Sequence, residues 1–356
     1  MTVPVAFDLE GPIVNPGVDF AKDVYDSLIS PGTKSKYPDP FADFDSYDDD
    51  RWRAERYSTG RKHSTGTTPL VVDCLAAVDG KTDDDMIEFA SSIVSSGKAY
   101  NPGARELLRS LVSGSVYIIT SSYPAIPIAV AEENGISFAH VFNHGNQVRN
   151  GMLDARGEIE HRSPLRVLSA HRDELAGFLY RYLDACATYR AAIGSGKKSE
   201  IRAAKENHDR IFSEIESPNL RSELAYIFLF EDGIMGGHGK AEAARTIAPD
   251  RRIVTVGDGI VDADMLAHSY FGIAINCTNT EALRASRLNV VTERWEPLID
   301  LFHDLQGEKA PAPLTCRRNG IEIFTPANIE NETAGVVAAN KAAKMKLKSA
   351  YQTAPV

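Results

Sequence analysis

The chain has 356 residues, 43% of them hydrophobic and 25% charged, a balance that fits a folded globular protein and excludes wholesale disorder. Asp and Glu outnumber Lys and Arg by 49 to 39, and the resulting charge of -10 lacks the broad positive footprint of a nucleic-acid or anionic-membrane binder. No apolar run approaches the ~18 residues of a membrane-spanning helix, and MTVPVAFDLEG has no signal-peptide pattern. Cys74, Cys186, Cys277 and Cys316 form no C-x-x-C pair, so free thiols in the cytoplasm are the expectation.

In chain order, an apolar run at 3–7 (VPVAF) comes first and is closed by Asp8-Leu9-Glu10-Gly11-Pro12. Residues 15–100 then interrupt, opening polar and irregular (YPDPFADFDSYDDDRWRAERYSTGRKHSTG) before helical patterns at 69–78 and 83–94. A helix at 103–111, a strand at 116–119 (VYII) ending in Thr120-Ser121-Ser122, and a helix at 127–134 follow. A second interruption, 146–221, carries two long polar helical stretches, 163–192 and 199–215, joined by GSGKK at 194–198. Beyond it come a helix at 240–247, a strand at 253–256 (IVTV) ending in Gly257-Asp258-Gly259, a helix at 262–268 and a strand at 271–275. A helix at 280–286 and a strand at 288–291 complete the alternation. Residues 307–356 read as an extension biased to Pro, Ala and Lys, with one helical pattern at 333–351.

Short strands that are β-branched and apolar on both faces belong inside a parallel sheet, and their alternation with helices specifies a doubly wound α/β fold. The expected core comprises 1–14, 101–145 and 222–306, with mainly helical cap insertions at 15–100 and 146–221 that start near strand ends.

The strand-end loops hold Asp8 and Glu10, then Thr120, then Lys240, then Asp258 and Asp262. In a doubly wound sheet such loops converge on one crevice. Carboxylates gathered there repel one another unless a cation sits among them, and an all-oxygen donor set points to Mg²⁺. Lys240 and Thr120 then offer a charge and a hydroxyl to an anionic group, which suits phosphoryl transfer. Thr120 is the preferred phosphoryl contact because it directly follows the apolar run, with Ser121 and Ser122 as neighbouring hydroxyls. Lys240 follows Gly236-Gly237-His238-Gly239, where backbone can approach a ligand closely. His238 reads equally as a substrate contact or an exposed loop histidine. Arg51, Arg53, Arg56, Arg61, Lys62 and His63 read first as a solvated face opposite Asp48, Asp49 and Asp50; Arg56 and Arg61 are the candidates to grip a second anionic group. Phe178, Tyr180, Tyr182 and Tyr189 are expected in the core, Lys197, Lys198, Arg202 and Lys205 in scaffold or homodimer contact, and Asp264 as a solvated or capping residue.

FDLEGP, VYIITSS, GGHGKAEAA and IVTVGDGIVDADML occur in that order across residues 3–266, and in this the chain resembles the haloacid dehalogenase-like (HAD) hydrolases. The resemblance implies that Asp8 is the nucleophile and forms an aspartyl-phosphate, and that Glu10 is the general acid/base whose backbone carbonyl ligates Mg²⁺. It implies that Thr120 bonds a phosphoryl oxygen, that Lys240 neutralises the phosphoryl group and holds Asp8, and that Asp258 binds Mg²⁺ with Asp262 completing or supporting the shell. The expected metal set is thus Asp8, Glu10, Asp258 and Asp262. One departure stands out: phosphatases of the family most often carry Asp where this chain has Glu10, a side chain longer by about 1.5 Å. The DxEGP form and NPGARELL…VYIITSSYPAI are also similar to a smaller, hydrogenase-associated archaeal HAD subgroup. The activity implied is Mg²⁺-dependent hydrolysis of a small phosphomonoester: a sugar phosphate, nucleotide or biosynthetic intermediate. The alternatives are a phosphomutase or phosphoryl transferase with the same nucleophile, and a non-catalytic HAD-fold accessory subunit. Dehalogenase and phosphonatase relatives generally lack a carboxyl acid/base at the position of Glu10.

Overall fold

The computed structural model describes residues 2–42, 68–122, 125–143, 164–213, 237–307 and 321–353. The doubly apolar runs form one seven-stranded sheet: β1 (Val5–Phe7), β2 (Val116–Ile119), β3 (Val141–Phe142), β4 (Val254–Gly257), β5 (Phe271–Ile275), β6 (Leu288–Val291) and β7 (Glu322–Phe324). Their order is β3-β2-β1-β4-β5-β6-β7. Neighbours from β3 to β6 are parallel, which makes the core a Rossmann-like α/β sheet. The chain winds outward from β1 to β3 and returns on the far side of β1 as β4, so the winding direction reverses between β1 and β4. Such a reversal opens a crevice at the strands' carboxyl ends. Register levels these ends: Phe7 lies opposite both Ile118 and Val256.

Alternation along each strand covers both faces of the sheet. Val5 and Phe7 point into the largest core cluster, where the Phe7 ring lies 5.4 Å from Phe302. Ala6 points the other way, onto Ala243, Ala244 and Met265. Small residues there let the helices close on the sheet, while each large buried side chain contributes about 1.5–3 kcal/mol.

The helices are α1 (Phe20–Leu28), α2 (Pro31–Lys36), α3 (Thr68–Asp79), α4 (Asp83–Ser95), α5 (Ala104–Ser110), α6 (Ala125–Asn134) and α7 (Pro164–Ala170). They continue as α8 (Arg172–Ser195), α9 (Lys198–Ser213), α10 (Gly237–Ile247), α11 (Ala263–His268), α12 (Thr280–Ala285), α13 (Ile299–Gln306) and α14 (Pro326–Thr353). Most agree with the expected elements to within a few residues at their ends.

The structure departs from the expected elements at several points. The sheet is not wholly parallel, because β7 pairs antiparallel to β6. β3 was not expected, since two residues carry no periodicity. The stretch after residue 15 is not irregular throughout: Asp19 caps α1 by accepting from the Lys22 N–H at 3.1 Å, and Ser30 with Pro31 starts α2. The helix expected at 163–192 breaks at His171, whose φ of -117° and ψ of 29° are not helical. The helical pattern expected at 333–351 is present as the longer α14, which packs against β6, β7 and α12 and bends at Glu332, and β7 joins the sheet ahead of it. Phe178, Tyr182 and Tyr189 are buried as expected, but Tyr180 is exposed. Cys74, Cys186 and Cys277 are free and buried. Among the described residues, no helix is long and apolar enough to cross a membrane.

Candidate active site

Strand ends assemble the site. Asp8 follows β1, Thr120 follows β2, and Asp258 follows β4; Asp262 closes a short 3₁₀ turn, Ile260–Asp262, and Lys240 stands in the first turns of α10. The Lys240 ammonium lies 2.9 Å from Asp8 Oδ1 and 2.7 Å from Asp262 Oδ1, with Lys240 1% and Asp262 0% exposed. Asp262 Oδ2 accepts from the backbone N–H groups of Asp258 and Gly259, both at 2.9 Å. One buried carboxylate thereby fixes both the lysine and the turn that carries Asp258. Asp8 Oδ1 also accepts from the Leu9 N–H at 2.8 Å. Among the described residues none hydrogen-bonds Asp8 Oδ2, which keeps its lone pairs for chemistry.

Close backbone approach is needed at two glycines. Gly11, at φ +99°, rests against the Asp258 carboxylate, and a Cβ there would collide with it. A Cβ on Gly257 would collide with the Asp262 side chain. The loop bearing Gly11 is held by the buried Asn101, whose Nδ2 donates to the Gly11 carbonyl at 2.6 Å.

Negative charge dominates the cluster. The carboxylate oxygens of Asp8, Asp258 and Asp262 lie within 4.8 Å of one another. Burial, reinforced by Asp262, pushes the Asp8 carboxyl well above the usual range against the pull of Lys240. Burial also raises Asp258, with the Lys344 ammonium opposing. Burial alone would pull Lys240 down, but Asp262 and Asp8 outweigh it and hold the ammonium above the ordinary lysine range. Asp8 and Lys240 therefore both shift upward, Asp8 first through burial and then through Asp262, and Lys240 through the two carboxylates that grip it. Glu10 is exposed, yet desolvation by the surrounding protein raises its carboxyl, while the hydrogen bond from Ser122 Oγ at 3.1 Å opposes this. Its side chain still opens to solvent, so water reaches it.

The donor set fits a hard divalent cation, since each of the three residues offers a carboxylate oxygen and three carboxylates face only two ammonium groups, Lys240 and Lys344. Asp8 and Asp258 would hold it. Asp262, expected to complete or support the shell, has one oxygen on Lys240 and the other on two backbone N–H groups, an arrangement that suits the supporting part. The Glu10 carboxyl turns to Ser122.

Thr120 is buried, and its Oγ1 accepts from the Ser122 N–H at 3.0 Å. Ser121 Oγ is enclosed, and no described residue hydrogen-bonds it, so this hydroxyl has unused capacity. His238 turns along its own helix, with Nε2 3.8 Å from Glu242 Oε1. Arg56 and Arg61 lie outside the described residues, as do Arg51, Arg53, Lys62 and His63. Lys197 and Arg202 pair with Glu200 and Glu206 along the surface of α9.

Sequence reasoning missed a whole wall of the site. A cleft of about 690 Å³ opens beside Glu10 and Asp258, between α1 and α14, and Lys344 and Lys348 line it from α14. Lys344 forms an ion pair with Asp258. The helix is seated by reciprocal amide bonds between buried Asn340 and Asn289 of β6 at 2.9 and 3.3 Å, and by Asn15 Nδ2 donating to the Leu347 carbonyl at 3.2 Å. Asn340, Lys344 and Lys348 recur every fourth residue, a stripe on one side of a helix.

No family model, curated protein or solved structure matches this chain.

Proposed function

We propose that the protein is a HAD-type phosphatase that hydrolyses a small phosphomonoester with the help of Mg²⁺. The observation that carries the reading is the buried Asp8–Lys240–Asp262 clamp, which occupies one oxygen of Asp8 and leaves the other unbonded at the crevice. Asp258 adds a third carboxylate beside that clamp, so three carboxylates face two ammonium groups, Lys240 and Lys344, a balance that a divalent cation would complete.

In this reading Asp8 Oδ2 attacks phosphorus as the bond to the leaving oxygen breaks, giving an aspartyl-phosphate and an alcohol. Glu10, protonated at that moment, gives its proton to the leaving oxygen. As a carboxylate it next takes a proton from the water that attacks the aspartyl-phosphate, which releases inorganic phosphate and restores Asp8. The upward shift of Glu10 supports the acid half of this role, and its opening to solvent supports the base half. Lys240 keeps Asp8 oriented and offsets phosphoryl charge, and Thr120, at the end of β2, would donate its hydroxyl to a phosphoryl oxygen. A divalent cation held by Asp8 and Asp258 supplies further charge neutralisation when bound. The cleft, about 690 Å³, matches a metabolite in size.

The test is a phosphate-release screen over sugar phosphates, nucleotides and other phosphorylated metabolites, with and without Mg²⁺. Release that requires Mg²⁺ and is lost in folded Asp8→Asn is expected. Full activity in Asp8→Asn would reject the nucleophile, and silence across the panel would favour a non-catalytic subunit.

A further inference from the structure

Two lysines serve the acidic cluster, and they are held very differently. Lys240 is 1% exposed and gripped from two sides by Asp8 and Asp262, so it is a fixed part of the core. Lys344 comes from α14, its side chain is 22% exposed at the cleft, and it pairs with Asp258, whose side chain is 12% exposed. Asp258 cannot stand bare in so enclosed a place, because an unpaired buried carboxylate is strongly disfavoured. A divalent cation approaching the same carboxylate meets an ammonium already on it. Two positive charges at one carboxylate in a low-dielectric crevice repel strongly, so one displaces the other. A lysine has a flexible four-carbon stem, and the adjoining cleft gives this one space to withdraw into.

We propose that Lys344 is an exchangeable counter-ion: it holds Asp258 in the cation-free protein, yields it to the divalent cation on loading, and then offers its ammonium to the anionic substrate in the cleft. The inference rests on the phosphatase reading, and it adds a positioning residue that no strand-end motif contains. It makes cation and anion binding interdependent. The cation frees a lysine for the anion, and by reciprocity the anion, by holding that lysine, favours the cation.

The test measures Mg²⁺ binding by calorimetry to the full chain without substrate, comparing the natural protein with Lys344→Met, which keeps the stem and removes the charge. Mg²⁺ is expected to bind Lys344→Met about tenfold more tightly, within the roughly 5–150-fold span of coupled sites. Saturating inorganic phosphate, the anion probe, should tighten Mg²⁺ binding to the natural protein and do so much less for the variant. Lys344→Gln supplies the same comparison if Lys344→Met fails to fold. Equal Mg²⁺ affinity in the natural protein and a folded variant overturns the exchange while leaving the metal reading intact. Mg²⁺ binding to neither overturns the metal reading, and the exchange with it.

Discussion

Replacing Asp262 by asparagine isolates the group that holds the site together. The carboxylate is 0% exposed and accepts three hydrogen bonds, from the Lys240 ammonium at 2.7 Å and from the Asp258 and Gly259 N–H groups at 2.9 Å. An amide has one accepting oxygen where the carboxylate has two. If that oxygen faces the backbone turn, its NH₂ confronts the ammonium; if it faces Lys240, the NH₂ confronts two N–H donors. The first orientation loses one charge-assisted bond, worth about 1.5–3 kcal/mol, the second loses two, and in both a donor is left facing donors. Breaking a buried pair costs about 3–5 kcal/mol, and Lys240 still keeps Asp8, so we expect about 3 kcal/mol of destabilisation. Thermal unfolding in chelator-treated buffer at pH 7 should then fall by about 5 °C. Asp8→Asn is the internal comparison. It removes one charge from a cluster with too much negative charge, so its cost should be about 1 kcal/mol or less, whatever it does to turnover. An Asp262→Asn midpoint within about 1 °C of the natural protein, or a larger loss in Asp8→Asn, would refute the clamp as the organising contact.

Gly11→Ala should destabilise more than Gly114→Ala. Both glycines have positive φ, +99° and +80°, but a Cβ on Gly11 meets the Asp258 carboxylate, whereas nothing lies within 4 Å of one on Gly114. We expect about 1 kcal/mol for Gly114→Ala from backbone strain alone and roughly 3 kcal/mol for Gly11→Ala, read by urea unfolding; equal losses would dismiss the close approach. Asp23→Asn should change the pH dependence of stability. Burial, with Asp19 and Asp26 nearby, pushes the Asp23 carboxyl up to about 6. Its contribution is therefore complete below the ordinary value of 3.8 and lost as pH rises through about 6. The asparagine variant should gain stability at pH 7 and lose that advantage near pH 4. Because the group is only partly buried, solvent screening limits the gain to about 1 kcal/mol. An unaltered slope between pH 4 and 6.5 would count against the shift.

How far the sequence could be read depended on the range of the interaction involved. β5 and β6 match their expected bounds because each is a run of apolar residues buried on both faces. The meeting of Asp8, Lys240, Asp258 and Asp262 was legible for a different reason: strand ends converge by topology, so adjacency follows without knowledge of any contact. The hydrogen bonds that Asp262 accepts were not legible. The duty of Asp262 is decided by two backbone N–H groups of a tight turn, and a pattern of residue types does not specify their direction. Lys344 was hidden more deeply. Its role depends on the register of α14 against β6, set by one amide pair between Asn340 and Asn289, and nothing near either residue in sequence announces the other. Tyr180 fails on a smaller scale, because it shares a helix with Phe178 and Tyr182 but falls on the side that solvent keeps.

The anchoring of each group explains why this crevice is left short of positive charge. Asp8 and Asp258 are fixed by the ends of β1 and β4, and Asp262 by the turn it stabilises, so the three carboxylates cannot move apart to relieve their repulsion. Lys240 can neutralise only what it touches, and it touches Asp8 and Asp262. Asp258 is left to a partner from outside the strand-end loops, and the fold supplies one on the last helix, whose backbone is tied at Leu347 to the loop after β1. On the proposed reading, a rigid negative cluster completed by the more exposed Lys344 would take up a cation and an anion in turn, while a cluster neutralised wholly by core lysines would be electrostatically satisfied. On the same reading the fixed carboxylates would set where phosphorus is attacked, and the cleft between α1 and α14 would set which molecule can bring its phosphate there.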